Sequence, residues 1–323
     1  MTDTSFEDIQ TKIQKCYAEQ DYEGAYETAT IFCDQFPEHR HVLYYLRSTM
    51  AARIGDYDLA ISILGEMLNT GFWYGEVLLR GSPSYEALQG LPEFEGLVTL
   101  NRNLQELEQE QTLHLLTIRE EGKCLDEEDP CPLLLGLHAN ASNAQASIDF
   151  WRAAASDGWL VAVPQSSQAM WKGAYLWDDR ETSASEIQHH YHSMIEQYAV
   201  NQESTILAGH SMGGEIAAWM VLSGRLSTQG FIAFGPGGPF IDALENWAAL
   251  IEPAAGTGVR GCIILGEEDD TVPKENIITF VEMLNQAEIP CQLEIVPQAG
   301  HEFVPEYEAS LLRAIRFVNL GSA

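Results

Sequence analysis

Ser211 is the residue whose neighbours are suited to chemistry. It sits in Gly209-His210-Ser211-Met212-Gly213-Gly214, between Thr205-Ile206-Leu207-Ala208 and an apolar run headed by Glu215-Ile216-Ala217-Ala218. The first run is long enough for a buried strand and the second for a buried helix. On a sharp turn between such elements a serine Oγ is lifted clear of the sheet. Gly209 and Gly213 then have a mechanical role, because a Cβ at either would collide with the neighbouring strand or helix. A hydroxyl becomes a nucleophile only when a general base takes its proton and a carboxylate orients that base. Downstream the chain offers both types. Gly266-Glu267-Glu268-Asp269-Asp270-Thr271-Val272-Pro273 is a strand end running into an acidic turn, and Gly300-His301-Glu302-Phe303 follows the last predicted strand.

The elements that must position these residues are written in the second part of the chain. Strands are predicted at Thr112–Arg119, Pro132–Leu137, Trp159–Pro164, the run before Gly209, Phe231–Phe234, Gly261–Leu265 and Gln292–Val296. Helices are predicted between them, at about 143–156, 183–198, 274–286 and 306–318. Continuous apolar strands alternating with helices imply βαβ units and a mostly parallel sheet covered on both faces.

The first hundred residues read differently. Residues 5–70 carry helical spacing without strand-like alternation, and Asp21-Tyr22-Glu23-Gly24-Ala25 recurs 35 residues later as Asp56-Tyr57-Asp58-Leu59-Ala60. A period near that value marks helix–turn–helix repeats that bury their apolar face only by stacking. The segment resembles a degenerate pair of tetratricopeptide units, with Pro37 where the second helix of a unit commonly ends. The stretch from Gly71 to Leu97, with turns at Gly81-Ser82-Pro83 and Gly90-Leu91-Pro92, is expected to cap them. The predicted domains are therefore residues 1–110, helical, and residues 111–323, α/β.

Composition narrows the partners. Of 323 residues 46% are hydrophobic, ample for packed cores, and 17 Lys+Arg against 48 Asp+Glu leave a formal charge of −31. Such a surface repels phosphate backbones and anionic headgroups, so nucleic acid and membrane surfaces are excluded as expected partners. No stretch approaches the apolar length of a membrane span, and MTDTSFEDIQ has neither a basic nor an apolar leader segment, so a cytoplasmic location is expected. The six cysteines form no CxxC and no metal-like cluster, and reduced, mostly buried thiols are expected, Cys124 and Cys131 included, although these two bracket an acidic loop and a bond between them is the minor alternative. His189, His190 and His192 offer at most one i,i+3 pair without a third ligand, so a solvated helix face is expected there and no metal.

Taken in order, these motifs resemble the α/β-hydrolase superfamily over residues 112–323. The nearest patterns are its phospholipase/carboxylesterase group and dienelactone-hydrolase-like neighbours. The resemblance rests on the His138 loop, Pro164, Trp177-Asp178, Gly209–Gly214, Phe231–Pro236, the Gly-x-x-Asp-x-x-Val-Pro loop and Gly-His-Glu-Phe. A serine nucleophile in place of cysteine argues against a dienelactone hydrolase proper. The resemblance implies the order Ser211, Asp269, His301, with Glu267, Glu268 and Asp270 as competing carboxylates. It also implies an oxyanion hole from the backbone N–H groups of Met212 and Asn140, the latter on a loop where Ala139 replaces the usual glycine.

The expected function is a cofactor-free serine hydrolase cleaving carboxylic esters or thioesters of small to medium soluble substrates through an acyl-enzyme. Trp171, Tyr175 and Trp177, on a loop at the carboxyl end of a strand, either line the acyl pocket or anchor the loop. The alternatives are a serine peptidase or acyltransferase of the same fold, or a repeat-domain adaptor with a vestigial hydrolase. The roles open to the helical repeats are a protein partner, self-association, or restricting access to the active-site edge.

Overall fold

The computed structural model describes residues 5–110 and 114–319, and the expected domain junction at 110/111 touches the undescribed residues. The chain divides into two compact units. The first holds residues 1–112 together with Ala169–Lys172, and the second holds residues 113–168 and 173–323.

Apart from the short segment 169–172, the first unit is built of helices. Its helices are α1 (Phe6–Ala18), α2 (Tyr22–Phe32), α3 (Arg40–Ile54), α4 (Tyr57–Leu68), α5 (Glu76–Arg80) and α6 (Pro92–Gln109). The recurring Asp-Tyr motif is a pair of N-caps. Asp21 Oδ1 accepts the Gly24 N–H at 2.9 Å and Asp56 Oδ1 accepts the Leu59 N–H at 3.1 Å, each satisfying an amide that a helix start leaves open. Ala25 and Ala60, the small residues of the motif, are fully buried. Pro37 begins a short 3-10 turn, Pro37–His39, five residues past the end of α2. The core polar groups pair across elements: Tyr85 donates to Ser48 and Ser48 to the Ala60 carbonyl, both at 2.8 Å, while Asn101 exchanges two bonds with the Tyr74 backbone.

The second unit is built on a seven-stranded sheet. The strands are β1 (Leu115–Ile118), β2 (Cys131–Leu137), β3 (Leu160–Pro164), β6 (Val200–His210), β7 (Gly230–Phe234), β8 (Arg260–Gly266) and β9 (Cys291–Val296). Residues 168–176 contain the separate short strands β4 (Gln168–Trp171) and β5 (Ala174–Leu176). The sheet order is β1-β3-β2-β6-β7-β8-β9, antiparallel only between β1 and β3. Successive strand residues go to opposite faces. Leu133, Leu135, Leu207, Ile263 and Leu265 join one apolar cluster, while Leu134, Ile206, Ala208, Cys262 and Ile264 join the other. The first face is covered by α9 (Arg180–Gln197), α10 (Met212–Leu222), α12 (Glu245–Ala254) and α13 (Lys274–Gln286). The second is covered by α8 (Arg152–Ser156) and α14 (Tyr307–Asn319). Two single-turn helices, α7 (Ala144–Ser147) and α11 (Pro239–Asp242), complete the unit.

Two expectations are corrected. The helix expected over 143–156 is broken into α7, a 3-10 turn at Ile148–Trp151 and α8. The tightened turn seats Trp151, fully buried, over Gly136, where a Cβ would lie 2.5 Å from its indole nitrogen. The cysteines are not all reduced: Cys124 and Cys131 form a disulfide, and Cys16, Cys33, Cys262 and Cys291 are free thiols. Ala199 holds both ends of that loop, donating to the Cys124 carbonyl at 3.0 Å and accepting the Cys131 N–H at 2.9 Å. The two Cα atoms are thereby 5.1 Å apart, within bonding reach.

Candidate active site

Ser211 occupies the turn between β6, paired on both sides near the middle of the sheet, and α10. Its φ of 54° and ψ of −125° lie where a side chain is strained, a feature that clusters at functional turns. The turn can be this sharp because its neighbours lack side chains. A Cβ on Gly209 would sit 2.2 Å from the Gly213 carbonyl carbon, and one on Gly213 would sit 2.4 Å from the His138 carbonyl oxygen.

The two downstream loops come to the same sheet edge because β8 and β9 are neighbours. Glu267 donates its N–H to the Val296 carbonyl at 2.8 Å and Glu268 to the Ala299 carbonyl at 2.9 Å, which locks the loops together. His301 Nε2 lies 3.0 Å from Ser211 Oγ, and His301 Nδ1 lies 2.9 Å from Asp269 Oδ2. The other oxygen, Asp269 Oδ1, accepts the N–H groups of Thr271 at 3.0 Å and Val272 at 3.2 Å. The Asp269 side chain is 1% exposed and that of His301 23%, so the carboxylate is enclosed and the imidazole open on one side. Glu267, Glu268 and Asp270, the competing carboxylates, are exposed. In this arrangement His301 holds its Nδ1 proton toward Asp269 and presents Nε2 to the serine hydroxyl.

Met212 supplies the first amide of α10, one of those a helix leaves without an internal acceptor and where its dipole is positive. The β2–α7 loop lies against that helix start, since the His138 carbonyl faces Gly213. Asn140 is held there by its side chain: Oδ1 accepts the Trp177 N–H at 3.0 Å and Nδ2 donates to Asp178 at 3.2 Å. Ala139 needs no left-handed conformation; within the loop that falls to Ala141, at φ 56°.

Residues 179–314 match a family model described as an alpha/beta hydrolase domain. The second unit is an α/β-hydrolase domain. Residues 6–109 match the model of an A/B hydrolase-like N-terminal domain, so both parts of the chain match models of hydrolase architecture. An uncharacterized protein from Bacillus cereus is similar across both units, with 24% identity and a TM-score of 0.56, covering 98% of this chain and 100% of that one. The esterase PE8 is similar at 20% identity and a TM-score of 0.51, covering 64% of this chain and 100% of its own. At these identities the likeness is one of fold. No curated protein matches the chain.

Other expected residues of the hydrolase domain take different places. Trp177 is fully buried and donates its indole N–H to the His138 carbonyl at 2.9 Å; it anchors the loop instead of facing an open pocket. Trp171 belongs to the helical unit, where it packs on His41 and bridges to Tyr74. Lys172, beside it, donates to the Trp73 carbonyl at 3.0 Å and pairs with Glu108. Residues 169–172 of the second sequence domain thus belong to the first unit, with Trp171 half-buried against its core. His190 is buried instead of solvated, and its imidazole is pushed down to about 4 by burial, while His189 and His192 are exposed. Among the described residues no group of three or more His, Cys, Asp or Glu side chains is placed to hold a metal, and no helix is long and apolar enough to cross a membrane.

Two further histidines shape the site: His138, expected to be a structural hydrogen-bonder of its loop, and His210, which the sequence reading missed. His138 is buried and neutral: Nε2 accepts the Ser166 N–H at 3.3 Å, which leaves Nδ1 to donate to the Ala139 carbonyl at 2.8 Å. Burial pushes it down to about 4. His210, the variable residue before the serine, donates Nε2–H to the His301 carbonyl at 2.7 Å and packs on the Phe303 ring. It too is pushed down to about 4 by burial, and so holds the backbone of His301 without placing a charge beside it. Its place inside the serine motif was the available signal.

Proposed function

We propose that this chain is a serine hydrolase that cleaves carboxylic esters or thioesters of small to medium soluble substrates. The observation that carries the reading is the Asp269–His301–Ser211 relay, with contacts of 2.9 and 3.0 Å ending on a strained serine at the sheet edge. Ser211 Oγ attacks the acyl carbon as its proton passes to His301 Nε2, and Asp269 stabilises the imidazolium formed. The negative charge on the former carbonyl oxygen falls between the Met212 and Asn140 amides, in the manner of an oxyanion hole. Collapse breaks the bond to the leaving alkoxide or thiolate, which takes the proton from His301. Water, deprotonated by His301, then releases the acid and restores the serine.

The loop from Gly235 into α12 is short, which fits soluble acyl groups better than bulk lipid. A fluorophosphonate probe should label the wild-type chain and not Ser211→Ala, and p-nitrophenyl butyrate turnover should vanish in the same variant. Undiminished labelling or turnover in Ser211→Ala defeats the assignment.

A further inference from the structure

Glu215 is a fully buried carboxylate in α10, whose residues are otherwise apolar or glycine. Burial pushes its carboxyl up, and a charge in that position is tolerated only with close partners. Glu215 Oε2 accepts the N–H groups of Phe240 at 3.1 Å and Ile241 at 2.8 Å, and Oε1 faces Arg180 Nη2. The Arg180 guanidinium lies over the Phe240 ring, 4.1 Å from its centroid, and its Nε is buried without a hydrogen-bond partner. Replacing a buried ion pair by well-packed apolar groups is often neutral or stabilising, so stability alone gives this pair no clear purpose.

The position of the pair gives it a use. Arg180 opens α9 directly after Trp177-Asp178-Asp179. The loop holding His138 and Asn140 hangs from Trp177 and Asp178 through three hydrogen bonds of 2.9 to 3.2 Å. The other half of the oxyanion site, Ser211 and Met212, is the start of the helix that carries Glu215. Gly238 packs directly on that helix start: a Cβ there would lie 2.7 Å from Met212 Sδ and 2.8 Å from Glu215 Cδ. We propose that the Arg180–Glu215 pair is a positioning device that sets the spacing between the Asn140 and Met212 halves of the oxyanion hole. This rests on the serine-hydrolase reading above. A displaced amide loses its effect on developing charge while leaving ground-state binding nearly intact.

The test is the double variant Arg180→Met/Glu215→Gln, which leaves no lone buried charge and keeps an acceptor for Phe240 and Ile241. On a p-nitrophenyl ester kcat should fall by about 10- to 100-fold with KM within about twofold, as for a partly lost oxyanion contact. Affinity for a trifluoromethyl ketone, which mimics the tetrahedral intermediate, should fall by the same factor. Arg180→Lys, which keeps the charge without the planar fork, should recover part of kcat and stands in if the double variant fails to fold. A folded variant with wild-type kcat, or one that loses only KM, overturns the proposal. A wild-type chain that neither hydrolyses esters nor takes the fluorophosphonate defeats the hydrolase reading itself, a result distinct from either.

Discussion

The two units bury polar groups to different ends. In the helical unit the buried polar side chains are neutral (Thr28, Ser48, Thr49, Ser84 and Asn101), and Ser48 and Asn101 tie one element to another. In the α/β unit the buried set includes His138, His190, Glu215 and Asp269. A neutral hydrogen bond inside a core is satisfied by one partner and adds mostly specificity. An ionisable group in the same low dielectric is costly unless held by several, so its presence marks where geometry is maintained for chemistry. Three of those four, His138, Glu215 and Asp269, lie around Ser211 at the carboxyl edge of the sheet.

That contrast can be broken at several points. The largest effect should come from Asp269→Asn, which preserves shape but favours the wrong tautomer of His301, lowering kcat about 10⁴-fold by analogy with other triads. Steady-state kinetics with an unchanged melting temperature would bear this out; a loss below tenfold would assign the role to another carboxylate. Acid should next unsettle the α/β unit. His138, His190 and His210 are each pushed down to about 4 by burial, whereas in the unfolded chain they titrate near about 6.5. The unfolded chain therefore binds more protons between these values. Their contribution to stability is complete above about pH 6.5 and is lost as pH falls through about 4. In the helical unit His41 shifts in the same direction, also by burial. Hydrogen exchange at pH 7.5 and 5 should show the larger loss of protection in β2, β6 and α9, and equal losses in both units would remove the distinction.

Gly209→Ala should come third, costing about 3 kcal/mol or more because its Cβ has backbone and not a flexible side chain to displace. Cys131→Ser should follow at about 2 kcal/mol, the value for opening a short loop, read from denaturant midpoints. The smallest pair sharpens the comparison through opposite signs. Ser211→Gly should stabilise the α/β unit by about 1 kcal/mol by releasing its strained backbone, at the expense of all hydrolysis. Gly55→Ala in the helical unit, at φ 91° with open space around it, should destabilise by about 1 kcal/mol. Equal signs would mean that Ser211 carries no stored strain.

Much of the scaffold is legible locally. Continuous apolar runs mark β2, β3, β7 and β8, because strands covered on both faces have no polar side to show. The Asp-Tyr recurrence is visible for the same kind of reason: a cap acts on an amide three residues away, within the window that local sequence covers. Glu215 was also in view, a lone charge at the head of an apolar run, but a buried carboxylate has no meaning until its partner is known. Arg180 is 35 residues earlier and reaches it only because α9 and α10 cover the same face of the sheet.

By itself, then, the sequence determined the elements, the serine turn and the types of group that could serve it, since periodicity, caps and glycine spacing act within a few residues. Tertiary structure decided the choices that depend on which strands are neighbours. It enclosed the Asp269 carboxylate and left Asp270 exposed. It brought Cys124 to Cys131 through Ala199, and set Trp171 against the helical core. The order β6-β7-β8-β9 places three loops, each separated by tens of residues, on one edge. No local pattern encodes that order, because it follows from how whole helices and strands bury their faces together.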